Sequence, residues 1–477
     1  MGGKRWRRDR KTSPDAEQEP VETAAHVTSA PSVPSIDRST TEALLQDLWQ
    51  LPQAMECEEA ASRLAPPARP AKASAVGYPK ETAKPMKPGE VRFPVMTPEE
   101  LKPLLVPATA SPELLRETFE KYGVCVVTGV LSAKECSLME QIWLQDLLQI
   151  LDEGKIPDDG VAGQVRALKA KGLQAWPKDW DEFFGLRGMV PTYGLPHGSF
   201  AWAARLHPTV RRVFADLFET PAEELAVGLD LPFFASSGQP GTDSNKEWLH
   251  VDQNHCTGMT WTCAQGVLYV WPSQGEDSST TVVWPGSHRD PYDQLMQDPT
   301  AFSNGKRPTG QSVKLNQLRD PSIQEDVMES AKKACRRMPC PAGSLLLWDS
   351  RVIHQGWKGG PRLAQPVCWE PRERRSKEAL RRKIWMCAAG APSSHSSAEG
   401  RTHAMLKQAP TPSPWAEGWP SLKASVVPYG VQLGKEADWQ LAQTTLWGPT
   451  ENPSRQADRA NVAEILPLLR EEVVAAL

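Results

Sequence analysis

His250, Asp252 and, 104 positions after the first of them, His354 are the residues of this chain whose types and spacing point to chemistry. Two imidazoles and one carboxylate on one face of an octahedral ferrous ion leave three coordination positions open, the facial arrangement of non-haem iron oxygenases. Arg362 follows eight residues past His354 and opens an apolar run. A guanidinium in that place suits a bidentate clamp on a dicarboxylate. The chemistry these four residues would support is oxygenation with Fe(II), 2-oxoglutarate as cosubstrate and O2.

An H-x-[DE] triplet is weak evidence by itself. With nine histidines and 58 acidic residues in 477, about one is expected by chance. The chain has two, the other being His288-Arg289-Asp290. In Trp248-Leu249-His250-Val251-Asp252 the period of a strand puts His250 and Asp252 on one face and Leu249 and Val251 on the other. His288 instead follows the turn signal Trp284-Pro285-Gly286-Ser287 and reads as a loop residue. Asp349 sits at a turn before His354 and reads as its cap. The bland alternatives are a hydrogen-bonded core imidazole for His354 and a surface arginine, beside Gly359-Gly360-Pro361, for Arg362.

The elements that must position these residues follow from pattern. Ser111-Pro112-Glu113 opens a helix through Tyr122, Gly123 ends it, and Val124–Val127 reads as a strand. Ser132-Ala133-Lys134-Glu135 is a capping box before an apolar series at helical spacing, Met139 to Leu151. Another helix follows His207-Pro208. From about Leu225 short apolar or alternating runs take over: 225–234, 248–253, 261–271, 280–284, 344–348, 352–357 and 363–369. Strands after a helical lead-in predict an α+β fold, a double-stranded β-helix (a cupin-like jelly roll) flanked by helices. The polar stretch 290–338 reads as an insertion between strands that serves as a lid.

Residues 1–90, rich in Pro, Ala, Ser, Thr and Glu, predict a disordered tail with one amphipathic segment from about Thr40 to Leu51. That segment either docks on a protein partner or frays. The domain is expected over 91–390, and 391–477 as an extension packing on it, with a final helix after Asn461. A formal net charge of −4 argues against a dedicated nucleic-acid binder. No apolar run reaches the roughly 20 residues of a membrane span. Nine scattered cysteines without a C-x-x-C pair read as reduced thiols of an intracellular, cytoplasmic protein. The basic run Lys4 to Lys11 admits a nuclear address or a solvated tail.

At the His-x-Asp residues of 248–254, the chain resembles the phytanoyl-CoA dioxygenase family. Val282-Val283-Trp284-Pro285-Gly286-Ser287-His288 is similar to that family's PGSH turn, and Gly343 to His354 to its glycine-led strand before the distal histidine. The resemblance runs from about Val91 to Trp369. It implies His250, Asp252 and His354 as iron ligands and Arg362 as partner of the distal carboxylate of 2-oxoglutarate. It also implies hydroxylation of a small-molecule substrate, because related halogenases carry a small residue in place of Asp252. Gln253 and Trp271 lie where cosubstrate or supporting contacts are expected, and both are equally readable as packing residues. Two positions past Arg362 stands Ala364, where many relatives offer a serine, so the hydroxyl must come from elsewhere, with Tyr269 and Thr281 as candidates.

Two rival readings stay open on the sequence alone. A jelly roll that keeps its shape without its iron would serve as a binding or scaffold module. The same ligands could instead hold zinc or manganese for hydrolysis or isomerisation.

Overall fold

Short strands of aliphatic and β-branched residues, separated by Gly, Pro, Asp and Ser, build two large sheets and a third of two strands. The computed structural model describes residues 39–50, 92–154, 158, 160–171, 188–235, 247–257, 261–276, 278–301, 312–396, 426–432 and 461–477. The strands are β1 (Leu105–Pro107), β2 (Val124–Thr128), β3 (Leu225–Val227), β4 (Phe233–Ala235), β5 (His250–Val251), β6 (Ala264–Tyr269) and β7 (Thr280–Val283). They continue with β8 (Val313–Lys314), β9 (Arg336–Arg337), β10 (Ser344–Asp349), β11 (His354–Trp357), β12 (Arg362–Val367) and β13 (Trp369–Pro371). One sheet has the order β1-β2-β10-β6-β12-β4, the other β8-β5-β11-β7-β9, and β13 pairs with β3. The chain is thus a mixture of helices and several sheets.

Strand alternation sets what each face meets. On β10, Leu346 and Trp348 join an apolar cluster with Val126, Val267, Tyr269 and Val283. Leu345 and Leu347 point the other way, and their methyl carbons stand 3.1 Å from where a Cβ on Gly266 would sit. On the second sheet Leu249, Val251, Val282, Ile353 and Trp357 belong to a separate core. The helices around the first sheet begin where their caps predict. These are α2 (Pro112–Tyr122), capped by Ser111 and ended by Gly123 at φ 66°, and α3 (Ala133–Glu153), with the Ser132/Glu135 capping box formed. Downstream lie α4 (Gly160–Lys171), α5 (Ser199–Leu206) and α6 (Pro208–Phe218). The buried Asp146 of α3 accepts from the first amides of α5, Ser199 N at 3.0 Å and Phe200 N at 2.9 Å, and so fixes one helix on the next.

Two segments differ from what the sequence suggests. Most of the 1–90 tail lies outside the described residues, but α1 (Ser39–Gln50) packs on α3 of the same chain, with Leu45 and Leu48 buried. Leucines three apart make only a narrow stripe, too little for an isolated helix. The apolar side of α3 supplies the missing contact. The described residues of 290–338 contribute to the core of the second sheet. They include α7 (Asp290–Leu295) and α8 (Pro321–Ala334), and their β8 and β9 form the two edges of the second sheet. Tyr292, Leu295, Val313, Leu315, Val327 and Ala331 cover the outer face of that sheet. High polarity hides this stripe in the sequence, because α8 is wet on its other faces. Past α9 (Lys377–Ala389), the described part of 391–477 returns to the helical layer, with Val426 N donating to Tyr193 O and Tyr429 N to His197 O.

Gly343 starts β10 at φ +72°, and a Cβ there would meet the Leu131 carbonyl oxygen at 2.2 Å. Gly343→Ala combines left-handed strain with a backbone clash and should destabilise by about 1–3 kcal/mol. A denaturant melt that left the midpoint unchanged would contradict this.

Candidate metal and cosubstrate site

Leu249 and Val251 are fully buried in the outer core, so the alternating residues His250 and Asp252 face inward between the sheets. β11 lies antiparallel beside β5 with His354 directly opposite His250, and the two imidazole centroids are 4.4 Å apart. One ligating atom from each of His250, Asp252 and His354 falls within 4.8 Å of the others. Nε2 of His354 is 3.2 Å, and Nε2 of His250 3.5 Å, from the Asp252 carboxylate.

The ring orientations are set by the backbone. His250 Nδ1 lies 3.1 Å from Trp248 O, and His354 Nδ1 lies 2.9 Å from Val352 O. A carbonyl only accepts, so in both rings Nδ1–H donates and the neutral ring turns its Nε2 lone pair toward the carboxylate. Two such lone pairs and an anionic oxygen at these distances repel unless a cation stands among them. This donor set fits a metal ion, and a facial His-His-Asp set is the one suited to Fe(II). Trp248 stacks on His250 at 4.8 Å between centroids and 17° between planes, and holds the ring from one side.

These side chains line a cavity of ≈ 300 Å³ whose walls include Phe233, Trp248, Trp348 and Trp357. Arg362 enters it from the first residue of β12, buried, with its guanidinium 4.2 Å from the Phe233 ring centroid. Its Nη2 donates to Tyr269 Oη at 2.9 Å, while Nε has no hydrogen-bond partner among the described residues. A buried guanidinium with an idle donor beside a cavity is a receptor for an anion. Thr281 lines the same cavity and Tyr269 holds the arginine.

The other two expected contacts lie elsewhere. Gln253 is buried and braces the next loop, donating to Trp261 O at 2.7 Å and accepting from Cys263 N at 3.3 Å. Trp271 packs near Phe234, centroids 5.9 Å apart, and is not among the cavity's lining residues. The residue that touches the carboxylate is Gln265, whose Nε2 is 3.1 Å from both Asp252 Oδ2 and Ser350 Oγ. Its signal was a polar side chain on the inward face of β6, two before Val267. His395 also borders the cavity, with Nε2 4.0 Å from Asp252 Oδ2, and so do Asp230 and Lys358. An isolated histidine in a serine-rich stretch carries no pattern that would reveal it. His288 lies outside the lining, with Nε2 3.0 Å from Glu120 O, and Asp349 is engaged by Arg351.

A second convergence, of Cys263, Cys368 and Glu370, lies behind one wall. It closes on itself: the Cys263 thiol donates to Glu370 and the Cys368 thiol to Ala264 O. Burial nearby draws the Lys383 ammonium down to about 7.

The sequence profile of the phytanoyl-CoA dioxygenase (PhyH) family matches residues 119–358, half of the chain. The chain belongs to the phytanoyl-CoA dioxygenase family, whose members resemble Fe(II)/2-oxoglutarate oxygenases, and its cofactors are Fe(II) and 2-oxoglutarate with O2. Among solved structures, it is similar to EvdO2 from Micromonospora carbonacea var. aurantiaca (15% identity, 54% of this chain and 89% of that one, TM-score 0.30). The epimerase SnoN in complex with Fe3+, alpha ketoglutarate and nogalamycin RO is 15% identical over 54% of this chain and 82% of its own, with a TM-score of 0.30. A hypothetical protein, JW0805 from Escherichia coli, is 13% identical over 72% and 84%, with a TM-score of 0.39. No curated protein sequence matches the chain.

Arg362→Met removes the one cation seated on the aromatic wall beside Tyr269. Anaerobic titration with 2-oxoglutarate should show binding weakened by about 2–5 kcal/mol, the cost of leaving a desolvated carboxylate unpaired. Equal affinity in the variant would place the cosubstrate elsewhere.

Proposed function

We propose that this chain hydroxylates a small organic substrate, with His250, Asp252 and His354 holding Fe(II) and Arg362 holding the distal carboxylate of 2-oxoglutarate. The observation that carries the reading is the convergence of two backbone-oriented imidazoles and a carboxylate on one wall of a cavity that also holds a buried guanidinium. The scaffold we propose is the double-stranded β-helix. Its support is the alternation of β4, β6, β10 and β12 in one sheet with β5, β7 and β11 in the other.

When bound, the iron with 2-oxoglutarate and O2 supplies the oxidising chemistry that places oxygen on a substrate carbon, with succinate and CO2 as co-products. The chain's own residues do the rest. Val352 and Trp248 carbonyls fix the imidazole rings, and Gln265 holds one carboxylate oxygen. Asp252 would supply the ligand that related halogenases lack, which favours hydroxylation. Trp248, Trp348 and Trp357 keep the surroundings apolar, so that the reacting atoms see little water. A cavity of ≈ 300 Å³ is at the small end for ligand sites and must accommodate the cosubstrate too. The part of the substrate that reaches the metal is therefore small. No helix among the described residues is long and apolar enough to cross a membrane, and eight described cysteines are free thiols. Both suit the intracellular setting we propose.

Anaerobic addition of Fe(II) and 2-oxoglutarate should produce a weak visible charge-transfer band, followed by succinate release once O2 and a substrate are admitted. His250→Ala and His354→Ala should each abolish the band, while His288→Ala retains it. Loss of the band in all three, or in none, would remove the ligand assignment. Consumption of 2-oxoglutarate without an oxygenated product would remove hydroxylation but leave the metal site standing.

A further inference from the structure

We infer that His395 is a positioning residue for the Asp252 carboxylate, supplied by a strap of chain beyond the family-matched region; this rests on the iron-site reading above. The strap, residues 391–396, follows α9 and is tied to the segment 228–231 that walls the cavity. Ser393 N donates to Leu229 O at 2.9 Å, and Leu229 N donates back to Ser393 Oγ at 3.0 Å. Gly228 permits the close approach, since a Cβ there would stand 3.0 Å from the His395 carbonyl oxygen. Two reciprocal bonds two residues away hold the imidazole at the cavity edge, with its side chain 26% exposed and Nε2 4.0 Å from Asp252 Oδ2.

His395 is not a fourth ligand. The ligating atoms of His250, Asp252 and His354 fall within one 4.8 Å cluster, and His395, though described, is outside it. The Nε2 atoms of His250 and His354 cannot donate to Asp252, because each ring proton is committed to a backbone carbonyl. Among the described residues, the other side-chain N–H groups near the carboxylate are Gln265 Nε2, 3.1 Å from Oδ2, and the His395 ring, whose Nε2 is 4.0 Å from the same oxygen. A separation of 4.0 Å exceeds a hydrogen bond by about 1 Å, a gap that the strap can close when a ligand fills the cavity. Donation from both would fix the rotation of the carboxylate, so that it would offer the metal one oxygen instead of two. Three positions then stay open, two for 2-oxoglutarate and one for O2. A carboxylate free to chelate through both oxygens would consume one of them.

Mn(II) binding to the full-length protein, followed by electron paramagnetic resonance without cosubstrate or O2, tests this apart from turnover. Supporting hydrogen bonds around metal ligands are typically worth 10–100-fold in affinity. His395→Ala should weaken Mn(II) binding about tenfold, and His395→Gln, which keeps an N–H donor, should recover most of it. His250→Ala should abolish binding. If His250→Ala abolishes binding while His395→Ala binds as wild type does, the positioning role is wrong and the metal site stands. If His395→Gln is as weak as His395→Ala, donation to Asp252 is not what the ring contributes. Failure of the wild-type protein to bind Mn(II) or Fe(II) at all would overturn both readings together.

Discussion

The antiparallel pairing of His354 with His250 is the constraint on which the rest of the site depends. It brings residues 104 positions apart to adjacent places on one inward face. The pairing is held from outside: Leu249, Val251 and Ile353, their neighbours on the opposite face, are sealed by α7, α8 and the edge strand β8. A slip of one residue in β5 would turn His250 and Asp252 into that apolar layer and put two aliphatic side chains into the cavity. The polar-looking 290–338 segment is therefore what fixes the register of the ligands. Its contribution to function is made through packing, at a distance from the cavity.

Within that frame, electrostatics divides the cavity into two ends. At one, two imidazoles with their Nε2 atoms turned inward and a carboxylate make a donor set that calls for a cation. At the other, Arg362 is buried on the Phe233 ring with Tyr269 Oη as its hydrogen-bond acceptor, a positive end that calls for an anion. Little water screens either charge, so each is worth more than it would be at the surface. A dicarboxylate that chelates a metal through one end and offers a carboxylate at the other satisfies both at once. Single ions or neutral metabolites would leave one end uncompensated.

How much of this was legible in the sequence depends on the range of the contact involved. The strand period around His250, the Ser111 N-cap of α2 and the capping box of α3 are local, and they read correctly from residue type alone. The pairing of His354 with His250 is not local, and it was reached through motif and spacing. Gln265 was hidden because a lone polar residue in an apolar strand has no local explanation; its partner is 13 residues away on another sheet. Gln253, the nearer glutamine, drew the assignment by adjacency, yet the turn after Asp252 points it at Trp261 O. Trp271 sits just past the end of β6, where the chain leaves the sheet, and so misses the cavity that Val267 reaches. The core role of 290–338 was obscured for a different reason. An amphipathic helix wet on most of its surface has the composition of a loop, and only the face it buries distinguishes the two.

The family match ends at residue 358, and the cavity draws residues from both sides of that boundary. The metal-binding candidates all precede it, and so do Met189, Phe233, Trp248, Val267, Thr281 and Trp348 of the wall, whereas Arg362, Pro366, Val367, Cys368 and His395 follow it. Oxidation at a metal needs the same three donors whatever the substrate, so that part of the chain has little latitude. The wall beyond those donors takes in the far end of β12 and the 391–396 strap fastened to 228–231.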